Sequence, residues 1–156
     1  GLHFVADSDI VIAADTATFF DTHVKVGLVA GLEPVSLARK MPFEAVMRMA
    51  LTGGNERMSA QRAYELGMVS EIVPAAELMQ RAMALANLIK VNSPVALART
   101  KKSLWEAKEM GLHKALSNAW NYIMDQNTHP DIAEGGKAFM ERRDPQWKPY
   151  AGECDE

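Results

Sequence analysis

Residues Asp9 to Gly31 read DIVIAADTATFFDTHVKVGLVAG, and the rest of the chain is best read outward from them. Ile10, Val11, Ile12, Thr16, Thr18, Phe19 and Phe20 are residue types that favour an extended chain, so Asp9 to Phe20 predicts a buried strand. Phe20-Asp21-Thr22 is a turn-forming cluster at its end, which lets His23 project into a cleft rather than into a sheet. Gly27 and Gly31 break the chain soon after. Upstream, Leu2, Val5 and Ala6 fall on one face of a short helix over Leu2 to Ser8. His3 then sits in its first turn, twenty positions before His23. The positive end of a helix dipole disfavours imidazolium, so the His3 ring is expected neutral and able to accept a proton.

Downstream, Leu37, Met41, Val46, Met49 and Ala50 repeat at helical spacing between Pro34 and Leu51, with Pro42 splitting the run in two. Thr52-Gly53-Gly54-Asn55 reads as a turn. Ser59 is a plausible N-cap for a helix ending near Leu66, and Gly67 offers the left-handed terminating position. Met68 to Val73 then reads as a strand stopped by Pro74. Leu78, Ala82, Leu85 and Ile89 form an apolar stripe. Ser93-Pro94 gives an N-cap and first-turn proline to a helix carrying Leu97, Leu104 and Trp105. A further helix presents Leu112, Ala115, Leu116, Ala119, Trp120 and Ile123. Alternating strands and helices give way to helices alone from about Ser93, which suggests a split between residues 1–92 and 93–156.

Three segments carry a family resemblance. GLHFVADSDIVIAADTATFFDTHVKVGL resembles the enoyl-CoA hydratase/isomerase (crotonase) pattern G-x-E-L-A-x-x-C-D-I-x-I-A-x-x-x-A-x-F-x-x-P-E-x-x-x-G. RMSAQRAYELGMVSEIVP is similar to x-I-S-A-x-x-A-x-x-x-G-L-V-x-x-V-V-P, and GGKAFMERRDPQWK to the closing helix G-x-x-A-F-x-E-K-R-x-P-x-F. The resemblance implies an α/β fold: part of a crotonase-like ββα spiral core over 1–92, followed by a helical trimerisation region over 93–156. It implies an acyl-CoA thioester substrate, with coenzyme A as part of the substrate and no prosthetic group. It also implies assembly into homo-trimers or hexamers, in which Trp105, Trp120 and the methionines have either core or interface roles. Because the chain opens inside the first pattern, an N-terminal half of the fold is expected to precede it. In the family that half supplies one backbone N–H to the thioester oxygen, and a glycine just before Gly1 supplies the other, so Gly1 adjoins the oxyanion hole. Phe139 and Arg142 match an aromatic and a basic position near the adenine and phosphate end of CoA. A core aromatic and a solvated helix charge are the plain alternatives.

The register also exposes three departures. His3 and His23 stand where the hydratases carry their two catalytic glutamates, and Glu33 replaces a glycine in P-G-x-G-G-x. Syn-hydration of an enoyl thioester needs one group to take a proton from water and another to deliver one to carbon. Two imidazoles with ordinary pKa values of about 6.5 can share that work near neutrality if one is protonated. Glu33 could supply a carboxylate of its own or orient the His23 ring; it is equally a favourable first-turn acid beside Pro34. Asp21, two residues from His23, is a secondary candidate, since turn aspartates often bond their own backbone. The expected activity is therefore that of an acyl-CoA-processing enzyme, enoyl-CoA hydratase in the first instance. A CoA-thioester hydrolase or ring-opening enzyme, and a non-catalytic acyl-CoA-binding or scaffold protein, are the alternatives.

Composition narrows the field further. The chain of 156 residues is 48% hydrophobic and 24% charged with a net charge of −3, ordinary for a packed domain and without the basic footprint of a nucleic-acid binder. The single cysteine, Cys154, cannot form an intrachain disulfide and suits a reducing compartment. No apolar run approaches the roughly 20 residues that span a bilayer, so the expected setting is cytoplasmic. His3 and His23 lack the short spacing of familiar zinc motifs, and His113 and His129 fall in the helical tail, so no metal site is expected. There is no G-x-G-x-x-G, P-loop or G-x-S-x-G to support nucleotide hydrolysis or serine-esterase chemistry.

Overall fold

The computed structural model describes residues 1–150 and 152, and shows two compact units, Gly1–Ala84 and Leu85–Glu156. The division falls inside a helix, while the position expected from the order of strands and helices, Ser93, is the N-cap of the next helix. Cys154 lies outside the described residues.

The first unit opens with α1 (Leu2–Asp7), β1 (Ile12–Ala14) and β2 (Thr18–Phe19), followed by a 3-10 turn at Val24–Val26. Then come α2 (Leu32–Leu37), α3 (Phe43–Thr52), β3 (Met58–Ser59), α4 (Ala60–Glu65), β4 (Glu71–Val73) and α5 (Leu78–Lys90). β1 and β4 pair in parallel with Ala13 opposite Ile72, and β2 and β3 pair antiparallel with Phe19 opposite Met58. A crossover through helices is what parallel pairing requires, and α2 to α4 provide it. Ala6, Leu37, Val46, Met49, Ala60, Ala63 and Val69 form the core. Ala6, Ala60 and Ala63 are fully buried in it, and full burial of Leu37 contributes about 2 kcal/mol.

The long strand expected over Asp9 to Phe20 is not one strand. The Ala17 amide bonds back to Ala14 O at 2.9 Å, closing a turn at Asp15-Thr16 that separates β1 from β2. The strand expected from Met68 is likewise shorter, because the amides of Met68 and Val69 both return to Ala63 O, at 2.9 and 3.2 Å, to close α4. Gly67, at φ +81°, makes that reversal. Ser59 caps α4, accepting from the Arg62 amide at 3.1 Å, and Pro42 separates α2 from α3 as expected. The apolar stripe of α5 contains no buried residue.

The second unit contains α6 (Pro94–Ala107), α7 (Leu112–Asn127) and α8 (Pro130–Glu141). Glu106 of α6 accepts from Asn118 Nδ2 at 2.7 Å and from Tyr122 Oη at 3.0 Å, clamping α6 to α7. Ser93 accepts from the Ala96 amide and donates its hydroxyl to Asp131, so one side chain caps α6 and ties it to α8. Leu112, Leu116, Trp120 and Ile123 lie exposed along one side of α7. None of the described helices is long and apolar enough to cross a membrane.

Candidate functional site

Three elements of the first unit converge on one open cleft of about 450 Å³. α1 contributes His3 beside Gly1 and Leu2, β2 and the segment after it contribute Phe20, Asp21 and His23, and α2 contributes Glu33 in its first turn. Twenty positions separate His3 from His23 in the sequence, and ten separate His23 from Glu33. α1 packs on α2, which brings His3 Nδ1 to 3.5 Å from Glu33 Oε1; His3 Nε2 is 3.1 Å from Asp7 Oδ2 one turn along its own helix.

His23 is held differently. Asp21 is 3% exposed, and its Oδ1 accepts two hydrogen bonds at 2.8 Å, one from the His23 backbone N–H and one at the ring Nδ1. A carboxylate oxygen can only accept, so Nδ1 carries the hydrogen and Nε2 is left as the free ring nitrogen. The Asp21 hydrogen bond, followed by its charge, raises the His23 pKa above the ordinary 6.5; partial desolvation opposes the rise and the Glu33 charge adds to it. From sequence, Asp21 reads as a turn residue serving its own backbone. It does so here, but its burial also aims it at His23, and burial is a tertiary property. The other carboxylate oxygen, Oδ2, is buried with no partner among the described residues.

The loop carrying Asp21 is fixed from behind by the Gly53-Gly54 turn that ends α3. A Cβ at Gly54 would lie 3.2 Å from both Phe20 Cδ2 and Thr22 Cγ2, and the residue's φ is +78°. On the far side of Phe20, the Arg57 guanidinium stacks on the ring at 3.8 Å. A larger hollow of about 660 Å³ lies beyond, with Arg48 and Arg62 in its lining. Arg48 is paired with Glu56 and Arg62 with Glu65, so neither guanidinium is left for an anion.

Asp21, His23 and Glu33 each offer a ligand atom within 4.8 Å of the others, a set the sequence spacing did not suggest could hold an ion. Phe139 and Arg142 belong to the second unit, whereas the cleft is lined by residues of the first. Phe139 is 83% exposed on α8 in this chain, and Arg142 ends that helix in the left-handed conformation at φ +52°.

The family model described as enoyl-CoA hydratase/isomerase matches residues 1–150. The chain belongs to the enoyl-CoA hydratase/isomerase family. Among solved structures, an enoyl-CoA hydratase/isomerase from Mycobacterium paratuberculosis is 44% identical with a TM-score of 0.89, covering 94% of this chain and 58% of that one. Among curated proteins, the mitochondrial enoyl-CoA hydratase domain-containing protein 3 of Rattus norvegicus is 33% identical, covering 94% of this chain and 48% of its own length. The (E)-benzylidenesuccinyl-CoA hydratase of Thauera aromatica is 34% identical, covering 95% and 57% respectively. The chain thus spans about half the length of the curated relatives it matches, and its fold is the crotonase fold.

Proposed function

We propose that the protein containing this chain is an acyl-CoA-processing enzyme that hydrates an α,β-unsaturated thioester, with His3, His23 and Glu33 in place of the usual glutamate pair. The observation that carries the reading is the convergence of His3, His23, Glu33 and Gly1 on one cleft. Water's oxygen bonds to C3 while the C2=C3 pair moves onto C2, and the resulting enolate charge rests on the thioester oxygen beside the amides near Gly1. One of the two imidazoles, His3 or His23, takes the proton that water loses. The other gives a proton to C2 as the enolate collapses, and the two rings recover their starting states by proton exchange with solvent.

Coenzyme A enters as part of the substrate, with Phe139 and Arg142 as contacts for its adenine and phosphate end, and no prosthetic group takes part. Homo-oligomerisation through the exposed side of α7, an N-terminal half that completes the acyl pocket, and a cytoplasmic setting belong to the same proposal. The test is incubation of the intact protein with crotonyl-CoA while following loss of the enoyl absorbance. Turnover that falls at least about 100-fold in His3→Ala and in His23→Ala supports the reading. Hydrolysis of saturated thioesters with crotonyl-CoA untouched would favour the hydrolase alternative, and acyl-CoA binding without any turnover would favour a binding protein.

A further inference from the structure

We infer that Asp21 is a positioning residue of this site, fixing the His23 ring by holding Nδ1 and leaving Nε2 as the ring atom free for proton transfer with the substrate. The inference rests on the hydratase reading above and goes beyond it, because it adds to the site a residue that acts through another.

The geometry is asymmetric in a way that exchange between the rings would not produce. His3 is half-exposed and shares its two nitrogens between Asp7 and Glu33, both acceptors at the longer distances of 3.1 and 3.5 Å. His23 has one partner at 2.8 Å, and that partner is itself fixed by a second bond from the His23 main chain. Carboxylate, backbone amide and ring therefore form one small closed unit, in which turning the ring would break a bond to a buried oxygen. The titratable groups around His23 in the cleft are His3 from α1 and Glu33 from α2, with Lys25 further along its own turn. From the α3 side the loop is met by Gly53 and Gly54, which carry no charge. The remaining cleft lining around His23 is apolar or hydroxyl-bearing, from Leu2, Val5, Phe19, Phe20, Thr18 and Thr22.

Two substitutions separate positioning from charge. In Asp21→Asn, the side-chain oxygen can still accept from the His23 amide and Nδ1–H, while the new NH2 falls where the partnerless Oδ2 was. Orientation is kept and charge is lost. In Asp21→Ala both are lost.

The experiment is steady-state kinetics of the intact protein and both variants across pH, on crotonyl-CoA, together with 15N NMR of the histidine rings. Asp21→Ala is expected to lower kcat by about 10- to 100-fold with KM changed less than about twofold. Asp21→Asn is expected to recover much of kcat, with whichever limb of the kcat profile His23 sets moved to lower pH. The NMR is expected to show His23 as the Nδ1–H tautomer when neutral, and to lose that preference in Asp21→Ala. Unchanged kcat and pH profile in both variants would overturn the inference, as would an Nε2–H tautomer in the parent protein. Loss of activity on chelation with recovery on added Zn²⁺ would overturn it too, since the same three side chains would then be ligands. If no enoyl-CoA is turned over, the hydratase reading fails by itself, and the tautomer measurement still decides whether Asp21 holds the ring.

Discussion

Lys40 donates its ammonium to the carbonyl oxygen of Ser8 at 2.6 Å, and also to those of Ala6 and Val5, so a side chain from beyond α2 closes the C-terminal end of α1. A cation is favoured there by the free carbonyls and by the dipole. The bond fixes the helix that carries His3 against the helix that carries Glu33. Lys40→Met keeps most of the apolar stem and removes the donor. It is expected to lower the unfolding free energy of the intact protein by about 1.5–3 kcal/mol, read from urea denaturation. An unchanged midpoint would mean that the α1–α2 packing alone sets the geometry.

Gly54→Ala presses a methyl group to 3.2 Å from Phe20 and Thr22 while asking alanine to hold φ +78°. The chain must give on the side of the Asp21–His23 loop. A loss of about 1–2 kcal/mol is expected, with kcat falling more than KM rises, because the loop carries a proton-transfer group. Equal stability by thermal unfolding would show that the turn can relax away from the site.

Ser93→Ala removes the hydroxyl that donates to Asp131 Oδ2 at 2.5 Å, leaving a buried oxygen short of its donor. Burial by itself raises the Asp131 pKa, but the Ser93 hydroxyl, the Lys148 amide and the charges of His129 and Lys148 outweigh it and hold the group below 3.8. Removing Ser93 is expected to cost about 1–3 kcal/mol at neutral pH and to move the onset of acid unfolding upward. Circular dichroism during an acid titration would check both.

Arg143 bonds Glu134 through both terminal nitrogens, at 2.6 and 3.1 Å, and the Gln146 amide adds a third bond. The Arg143 hydrogen bonds, then that of Gln146, lower the Glu134 pKa from 4.5 to about 2. A depressed carboxyl pKa favours the folded state above the unfolded value, and the contribution is lost as pH falls through the window from 4.5 to about 2. Glu134→Gln is therefore expected to flatten the stability profile within that window and leave its shape above pH 5 unchanged. A profile still as steep in the variant would assign the acid sensitivity to other carboxyls.

Trp120 is 61% exposed beside Leu116 and Ile123 on α7. A face of this kind is the expected contact between copies in the proposed oligomer. Trp120→Glu is expected to shift the intact protein toward smaller species by light scattering, with its helical signal retained. An unchanged mass would place the contact elsewhere.

Much of the fold could be read from the chain because local chemistry and tertiary outcome agree there. Pro42 does split the α2–α3 run, Ser59 and Ser93 do cap their helices, and Gly67 does take the left-handed turn. The two strands were overestimated for one reason. β-favouring residues at Thr16 and Val69 satisfy a propensity pattern equally well in a turn, and only the amide partners reveal the difference. Of the site, the register marks His3, His23 and Glu33, while Asp21 reads as a secondary candidate because nothing in a sequence reports burial.

By itself, then, the order of residues determined the family pattern, the helix boundaries set by prolines and caps, and the replacement of two glutamates by imidazoles. These are properties of single positions and their near neighbours. Tertiary structure decided that α1 and α2 bring His3 to Glu33, that Asp21 is sealed beneath His23, and that Phe139 faces outward. Each of those depends on which surfaces are excluded from water when distant segments pack, and no spacing along the chain encodes that directly.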